Sequence, residues 1–260
     1  MPTKIVVVGA AGRMGSVISH LAAESAEFEV AGMVDSEKGV VSLGAQSCPV
    51  VTDLSDLLPK VADAVVIDFT APEVSLHSAE VAVECGNALV VGTTGFNEEQ
   101  RNALTRFAQK TPIFWSTNMS VGVNVLLKIL PDLTKALGDE YDIEMVEMHH
   151  NRKKDSPSGT ALSMGECLAN ARNQSLETVR CSSRDGLIGE RPKGQIGIQA
   201  VRGGDVVGVH TVYFIGHGER IEVSHHAHSR ENFARGALRA AAWMREKKAG
   251  RIYGMADMLR

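Results

Sequence analysis

The apolar positions of the first half of the chain fall into short runs separated by stretches of helical period. Lys4–Val8 reads KIVVV, a β-branched run that predicts a strand, and a glycine turn then opens an apolar-periodic stretch to about Ala23. Phe28–Val34 predicts a second strand ending at Asp35, and Ala64–Phe69 a third with Asp68 and Thr70 at its end. Pro72 suits a first helical position, and helical spacing continues to about Cys85. Ala88–Val91 predicts a fourth strand. Asn97–Lys110 predicts a helix capped by Asn97 with Glu98 and Glu99 in its first turn, and Ile113–Trp115 a short fifth strand. Apolar runs alternating with helices imply an α/β fold, a parallel sheet covered on both faces and doubly wound when its crossovers are right-handed.

The pattern changes after Ser116. Val121–Leu137 has the spacing of a long helix that Pro131 is expected to kink or break. Asp142–Met148, Gly194–Val201, Gly208–Ile215 and Arg220–Ala227 read as extended segments with few helices between them. Apolar residues at both parities of 208–215 suggest a strand covered on both faces. Cys181–Gly194 reads as a long loop, and Glu231–Lys248 as a helix stopped by Gly250. Runs of strands after an alternating section imply a second, α+β domain.

Length and charge narrow the function only by exclusion. The 260 residues suffice for two domains, and 27 basic against 31 acidic residues give a net charge of −4. That balance offers no whole-chain attraction to nucleic acid or to an anionic membrane, so any anion site must be local. No apolar run approaches a bilayer span, and the first apolar run reads as a strand, not as a signal peptide. Cys48, Cys85, Cys167 and Cys181 form no Cys-x-x-Cys pair and suit free thiols in a reducing cytoplasm.

The turn Gly9-Ala10-Ala11-Gly12-Arg13-Met14-Gly15 follows a strand and opens a helix. Glycines there let backbone N–H groups approach a pyrophosphate at a helix N-terminus. Asp35 ends the next strand, where an acid meets ribose hydroxyls. Ala11 stands at the second glycine position, and its small side chain still permits close approach. Asp35 favours NADH, since a 2′-phosphate would face a like charge; Arg13 and Lys38 leave NADPH open. Gly92-Thr93-Thr94-Gly95 closes the fourth strand at the edge where such sheets bind ligands, although an ordinary strand-to-helix turn would look the same.

Glu147–Ala161 reads Glu-Met-His-His-Asn-Arg-Lys-Lys-Asp-Ser-Pro-Ser-Gly-Thr-Ala. Two histidines end a strand, three cations follow, and a Ser-Gly-Thr turn leads into a helix from about Ala161. Cationic side chains and a helix N-terminus suit a small anion, and a histidine suits proton transfer near neutral pH. A charged loop is also often only a solvated loop. Adjacent strand histidines point to opposite faces and share a metal poorly. His226 and His228 share a face, but no cysteine or carboxylate set completes a zinc site, so no metal is expected.

These residues together resemble the dihydrodipicolinate reductase family. The resemblance rests on Gly9–Gly15 with Arg13-Met14, on Gly92–Gly95, on Ser116-Thr117-Asn118-Met119-Ser120-Val121-Gly122-Val123-Asn124 and on Glu147–Ala161, in the family's order and spacing over nearly the whole chain. The His-His-x-x-Lys-x-Asp-x-Pro-Ser-Gly-Thr string carries most of the specificity. The resemblance implies a Rossmann-like nucleotide domain over residues 1–120, a mixed-sheet substrate and oligomerisation domain over 121–230, and a C-terminal helix over 231–260 returning to the nucleotide domain, in a cytoplasmic homotetramer. It implies hydride transfer from NADH or NADPH to a dehydrated cyclic dicarboxylate on the diaminopimelate route to lysine. His149 matches the acid/base position and Lys153 a second proton donor that contacts the substrate. His150, Ser158, Gly159 and Thr160 match the carboxylate site, and Thr94 a position near both substrate and nicotinamide. Gly9–Met14, Asp35, Gly92–Thr94 and Ser116–Met119 match the nucleotide site. The competing readings are another nicotinamide dehydrogenase, which would not need Glu147–Ala161, and a non-catalytic NADH sensor.

Overall fold

A computed structural model describes residues 1–44 and 46–260. The chain forms two compact units, one of Met1–Val121 with Arg230–Arg260 and one of Gly122–Ser229. In chain order the first unit begins with β1 (Thr3–Val8), α1 (Arg13–Ala23), β2 (Phe28–Val34), β3 (Gly39–Leu43), β4 (Gln46–Val51), β5 (Val65–Asp68), α2 (Pro72–Cys85), β6 (Leu89–Val91), α3 (Glu98–Ala108) and β7 (Ile113–Trp115). Then come α4 (Val121–Leu137), β8 (Asp142–His149), α5 (Gly159–Ala171), α6 (Leu176–Val179), β9 (Arg180–Cys181), β10 (Ile196–Arg202), β11 (Gly208–Ile215) and β12 (Arg220–Ala227). The first unit resumes with α7 (Glu231–Met244), β13 (Ile252–Tyr253) and α8 (Met255–Met258).

The first unit is a Rossmann-like sheet in the order β13-β7-β6-β5-β1-β2-β4-β3. Every pairing is parallel except β3 with β4. The run of valines in β1 explains why this strand is central. Ile5 and Val7 enter one apolar cluster with residues of α1 and α7, while Val6 and Val8 enter a second with residues of α2 and α3. A strand buried on both faces needs no polar alternation. The β3–β4 hairpin was not expected from the sequence. β3 is the edge strand, and Pro49 of β4 lies outside the short register with β2, which begins at Val50; Leu43, Cys48 and Val50 turn into the core while Val40, Ser42, Ser47 and Pro49 are exposed.

The second unit is a five-stranded mixed sheet in the order β12-β11-β8-β10-β9. On one face Ile143, Met145, Ile196, Ile198, Val212 and Phe214 pack with Val123 and Leu130 of α4 and Ala161, Met164 and Leu168 of α5. The other face is the more open one among the described residues, although Thr211 of β11 is 9% exposed on it. Val209 and Tyr213 are half-buried there, and Val201 and Ile215 are each 40% exposed. Helix α4 runs through Pro131 without ending. Pro131 lies on the half-exposed side, while buried Leu130 and Thr134 hold the helix to the core on either side of it.

Candidate active site

In the first unit the β1–α1 turn, Asp35, Gly92–Gly95 and Ser116–Ser120 all follow the carboxyl ends of β1, β2, β6 and β7 in one sheet. Parallel pairing puts these ends on one edge. Two glycines set the turn. Gly9 has a left-handed φ of +78°, and a Cβ on Gly15 would lie 2.1 Å from the Gly9 carbonyl oxygen. Helix α1 therefore starts tight against the end of β1. Its N-terminus has no capping side chain and no acidic residue in the first turn, so its positive end is offered outward. Asp35 Oδ2 accepts from the Ala11 N–H at 2.7 Å, and Oδ1 from the Ser36 N–H at 2.7 Å. Ala11 is exposed, and its methyl group fills no space the turn requires.

Gly92–Gly95 is anchored from below. The Trp115 indole N–H donates to the Thr93 carbonyl at 3.1 Å, and the Thr93 hydroxyl lies 3.2 Å from Asp68 Oδ1. Asp68 is fully buried and also accepts from the hydroxyls of Thr70, Ser75 and Ser78. Thr94 is exposed at the tip of the loop. Ser116 and Asn118 close the neighbouring turn through a Ser116 O–H bond to the Asn118 carbonyl at 2.8 Å, and Thr117 is exposed on it. The Met119 side chain, by contrast, belongs to the apolar core at 2% exposure.

In the second unit β8 alternates, and Ile143, Met145, Glu147 and His149 share its buried face. Glu147 is fully buried and accepts four hydrogen bonds. Arg202 reaches both carboxylate oxygens at 2.7 Å, His149 Nδ1 lies 2.6 Å from Oε2, and the Ser158 N–H donates to Oε1 at 3.0 Å. Burial alone would raise the Glu147 carboxyl. The Arg202 guanidinium, then His149 and the Ser158 amide, outweigh it and hold the group below the ordinary glutamate range. The carboxylate is therefore charged, and its bond to His149 places the imidazole proton on Nδ1. His149 Nε2 is left as the working nitrogen, and it lies 3.1 Å from where a Cβ on Gly208 would be. Burial lowers the His149 pKa below its ordinary value, and the Lys153 and Arg202 charges add to this against the pull of Glu147.

Ser158 is the N-cap of α5, its hydroxyl oxygen accepting from the Ala161 N–H at 3.2 Å. Gly159 and Thr160 form the first turn, which has no acidic residue. Helix α5 thus starts two residues earlier than expected. A Cβ on Gly159 would meet nothing within 4 Å, so the glycine keeps space open beside the helix N-terminus. Lys153 is mostly buried and pairs with Asp155 at 2.9 Å. The Arg152 N–H donates to His150 Nδ1 at 3.2 Å, which places a neutral ring's proton on Nε2.

Three members of this cluster were given no role from the sequence: Glu147, Arg202 and His210. His210 is 4% exposed, stands edge-to-face with His149 at 5.1 Å, and meets Ser158 Oγ through Nε2 at 2.9 Å. One signal was available for Glu147, an acid two residues before His149 on the apolar parity of the strand, since a carboxylate there must be paired. Arg202 and His210 arrive only through register, Arg202 opposite His149 and His210 opposite Glu147. Among the described residues no group of three or more His, Cys, Asp or Glu side chains is arranged to hold a metal. His226 and His228 are exposed.

Burial, reinforced by the neighbouring His149, pushes His210 down to about 4. A histidine depressed on folding binds fewer protons folded than unfolded, so stability must fall with pH between the two values. From the ordinary 6.5 to about 4, at 1.4 kcal/mol per unit, this is about 3 kcal/mol. The contribution is complete above pH ~6.5 and is lost as pH falls towards ~4. Urea unfolding across that window should show the decline, and His210→Phe should flatten it.

Both parts of the chain match one family model pair. Residues 3–119 match the family described as dihydrodipicolinate reductase, N-terminus, and residues 122–259 match dihydrodipicolinate reductase, C-terminus. The chain is 66% identical over 258 residues to the 4-hydroxy-tetrahydrodipicolinate reductase of Desulfovibrio desulfuricans, covering 99% of this chain and 100% of that one. It is 50% identical over 259 residues to that of Lawsonia intracellularis, covering 100% of both. Among solved structures, the dipicolinate-bound dihydrodipicolinate reductase of Paenisporosarcina sp. TG-14 shares the fold with a TM-score of 0.79 at 24% identity, over 99% of each chain.

Proposed function

The chain belongs to the dihydrodipicolinate reductase family, and on that premise we propose how its own residues divide the reduction of 4-hydroxy-tetrahydrodipicolinate between them. The reaction uses NADH or NADPH and yields tetrahydrodipicolinate on the diaminopimelate route to lysine. The N-terminus of α1 fits a dinucleotide, since it offers N–H groups and a positive dipole end that no side chain caps. Gly9–Met14 would hold the pyrophosphate and Asp35 the adenine-ribose hydroxyls. Gly92–Thr94 and Ser116–Met119 would hold the nicotinamide end, Met119 through its main chain. The bound nicotinamide supplies the hydride.

The observation that carries the mechanism is that Ser158 and His149 are both hydrogen-bonded to one buried carboxylate, Glu147. The substrate-carboxylate donors and the proton-transfer group are thereby held in one rigid frame. Ser158, Gly159 and Thr160 at the start of α5 receive a substrate carboxylate, and the Nε2–H of His150 adds a donor. Lys153 exchanges Asp155 for the substrate. Dehydration leaves a conjugated imine, and hydride addition leaves an enamine that must take a proton at carbon. His149 Nε2 supplies that proton. In the free protein burial keeps His149 neutral at pH 7, and a doubly anionic substrate raises its pKa so that it binds a proton as the substrate docks.

A coupled assay tests the reaction, with aspartate semialdehyde and pyruvate condensed by the preceding synthase and nicotinamide absorbance followed. Synthase-dependent oxidation is expected with at least one cofactor; none, in folded protein that binds NADH, refutes the reading. Asp35→Ala should raise the KM for NADH about tenfold and the KM for NADPH less, because only the former loses two ribose hydrogen bonds. Equal losses contradict the ribose assignment. The more open face of the second sheet, with Val201, Val209, Tyr213 and Ile215, is where we place a homotetramer contact. Sedimentation should give the mass of four chains, and a monomer at working concentration refutes it. The four cysteines are free, as suits a cytoplasmic enzyme.

A further inference from the structure

We infer that His210 is a positioning residue whose Nε2–H forces the Ser158 hydroxyl to act as a hydrogen-bond donor to the substrate carboxylate. The inference rests on Ser158 binding that carboxylate, as proposed above. A serine hydroxyl has one proton and two lone pairs. One lone pair of Ser158 Oγ is filled by the Ala161 N–H at 3.2 Å. His210 Nε2 meets the same oxygen at 2.9 Å and must either give or take a proton.

The two cases have opposite consequences. If Nε2 takes the proton, Ser158 has none left for a ligand and becomes an acceptor facing an anion. The His210 proton is then on Nδ1, which is buried and has no hydrogen-bond partner among the described residues. A buried N–H without an acceptor is the rarer and costlier fault. If Nε2 gives the proton, the second lone pair of Ser158 is filled, and Nδ1 is only an unfilled acceptor. The Ser158 hydrogen must then point away from both donors. Its direction is set by the capping bond to Ala161 on one side and His210 on the other, and it joins the N–H groups of the first turn of α5.

Neutrality of the ring makes this choice matter. Burial, with His149 beside it, pushes the His210 pKa down to about 4; Glu147 opposes that shift, and His225 and Lys153 add to it. At pH 7 the ring therefore carries one proton and must select a tautomer. Burial on a strand between His149 and Ser158 gives that proton a fixed place.

Two measurements test this. Nitrogen-15 spectra of histidine-labelled enzyme should show His210 as the neutral Nε2–H tautomer, and an Nδ1–H tautomer overturns the inference without touching the reading beneath it. In a double-mutant cycle, Ser158→Ala and His210→Phe should each raise the substrate KM about tenfold with little change in NADH KM, and the double variant should be no worse than Ser158→Ala. Additive losses overturn the inference. An unchanged substrate KM in Ser158→Ala overturns the carboxylate reading and the inference with it. If His210→Phe does not fold, His210→Gln, which keeps an amide donor, replaces it in the cycle and should retain more of the substrate affinity; the spectra of the unaltered enzyme decide in either event.

Discussion

Replacing His149 by alanine is expected to lower kcat by about 10²–10⁴-fold, the range lost when a positioned general acid is removed. NADH affinity should change little, because the nucleotide loops lie on the other unit. Folding should survive as well. Glu147 Oε2 still accepts from Arg202 at 2.7 Å when the imidazole is gone, so no buried charge is left unpaired. Steady-state kinetics with a separate NADH-binding titration distinguish the two constants. An undiminished kcat would remove His149 from proton transfer and leave Lys153 as the donor. A second readout follows from the depressed His149 pKa. Docking of a dicarboxylate such as dipicolinate should draw a proton from solution near pH 7, since the ring is neutral before docking and faces two added negative charges after it. Calorimetry in buffers of different ionisation enthalpy should show that uptake, and His149→Ala should abolish it.

The parts of the molecule legible in the sequence are those where one physical demand dominates a short stretch. The valines of β1 must be buried on both sides, and the Gly9–Gly15 turn must let α1 start against its strand. Both demands are local. The β3–β4 hairpin answers to no such demand. It lies towards an edge, half exposed, and its inward residues, Leu43, Cys48 and Val50, alternate with glycine-, serine- and proline-bearing positions over strands too short to stand out from a loop. The site divides in the same way. His149, Lys153 and Ser158–Thr160 are contiguous, so their chemistry could be read as a motif. Their supports could not. Arg202 and His210 lie 55 and 52 residues from their partners Glu147 and Ser158, and only the pairing of β10 and β11 with β8 brings them in. Pro131 shows the reverse error. Its local cost is real, but burial on both sides of it decides the helix.

Glu147→Gln should be nearly as damaging to kcat as loss of His149, although Glu147 touches no substrate in the mechanism. Each carboxylate oxygen accepts two bonds, Oε1 from Ser158 and Arg202 and Oε2 from His149 and Arg202. An amide offers one oxygen and one N–H₂. With its oxygen at the Ser158 side, the N–H₂ faces the Arg202 guanidinium and His149 Nδ1. The imidazole can then meet it only as an acceptor, so the proton moves from Nδ1 to Nε2. A neutral Nε2–H is a far weaker acid than the imidazolium that a carboxylate neighbour stabilises, and a wrong tautomer of this kind costs on the order of 10³–10⁴ in kcat. The buried ion pair with Arg202 is broken at the same time, which should cost about 3–5 kcal/mol of stability. The two effects separate experimentally. Nitrogen-15 spectra report the His149 tautomer, urea unfolding reports the pair, and Glu147→Asp keeps the charge and should recover part of both. A Glu147→Gln enzyme with unaltered kcat and His149 still protonated at Nδ1 would show that the carboxylate neither orients nor charges the imidazole, and the shared frame of Ser158 and His149 would lose its role in the reaction.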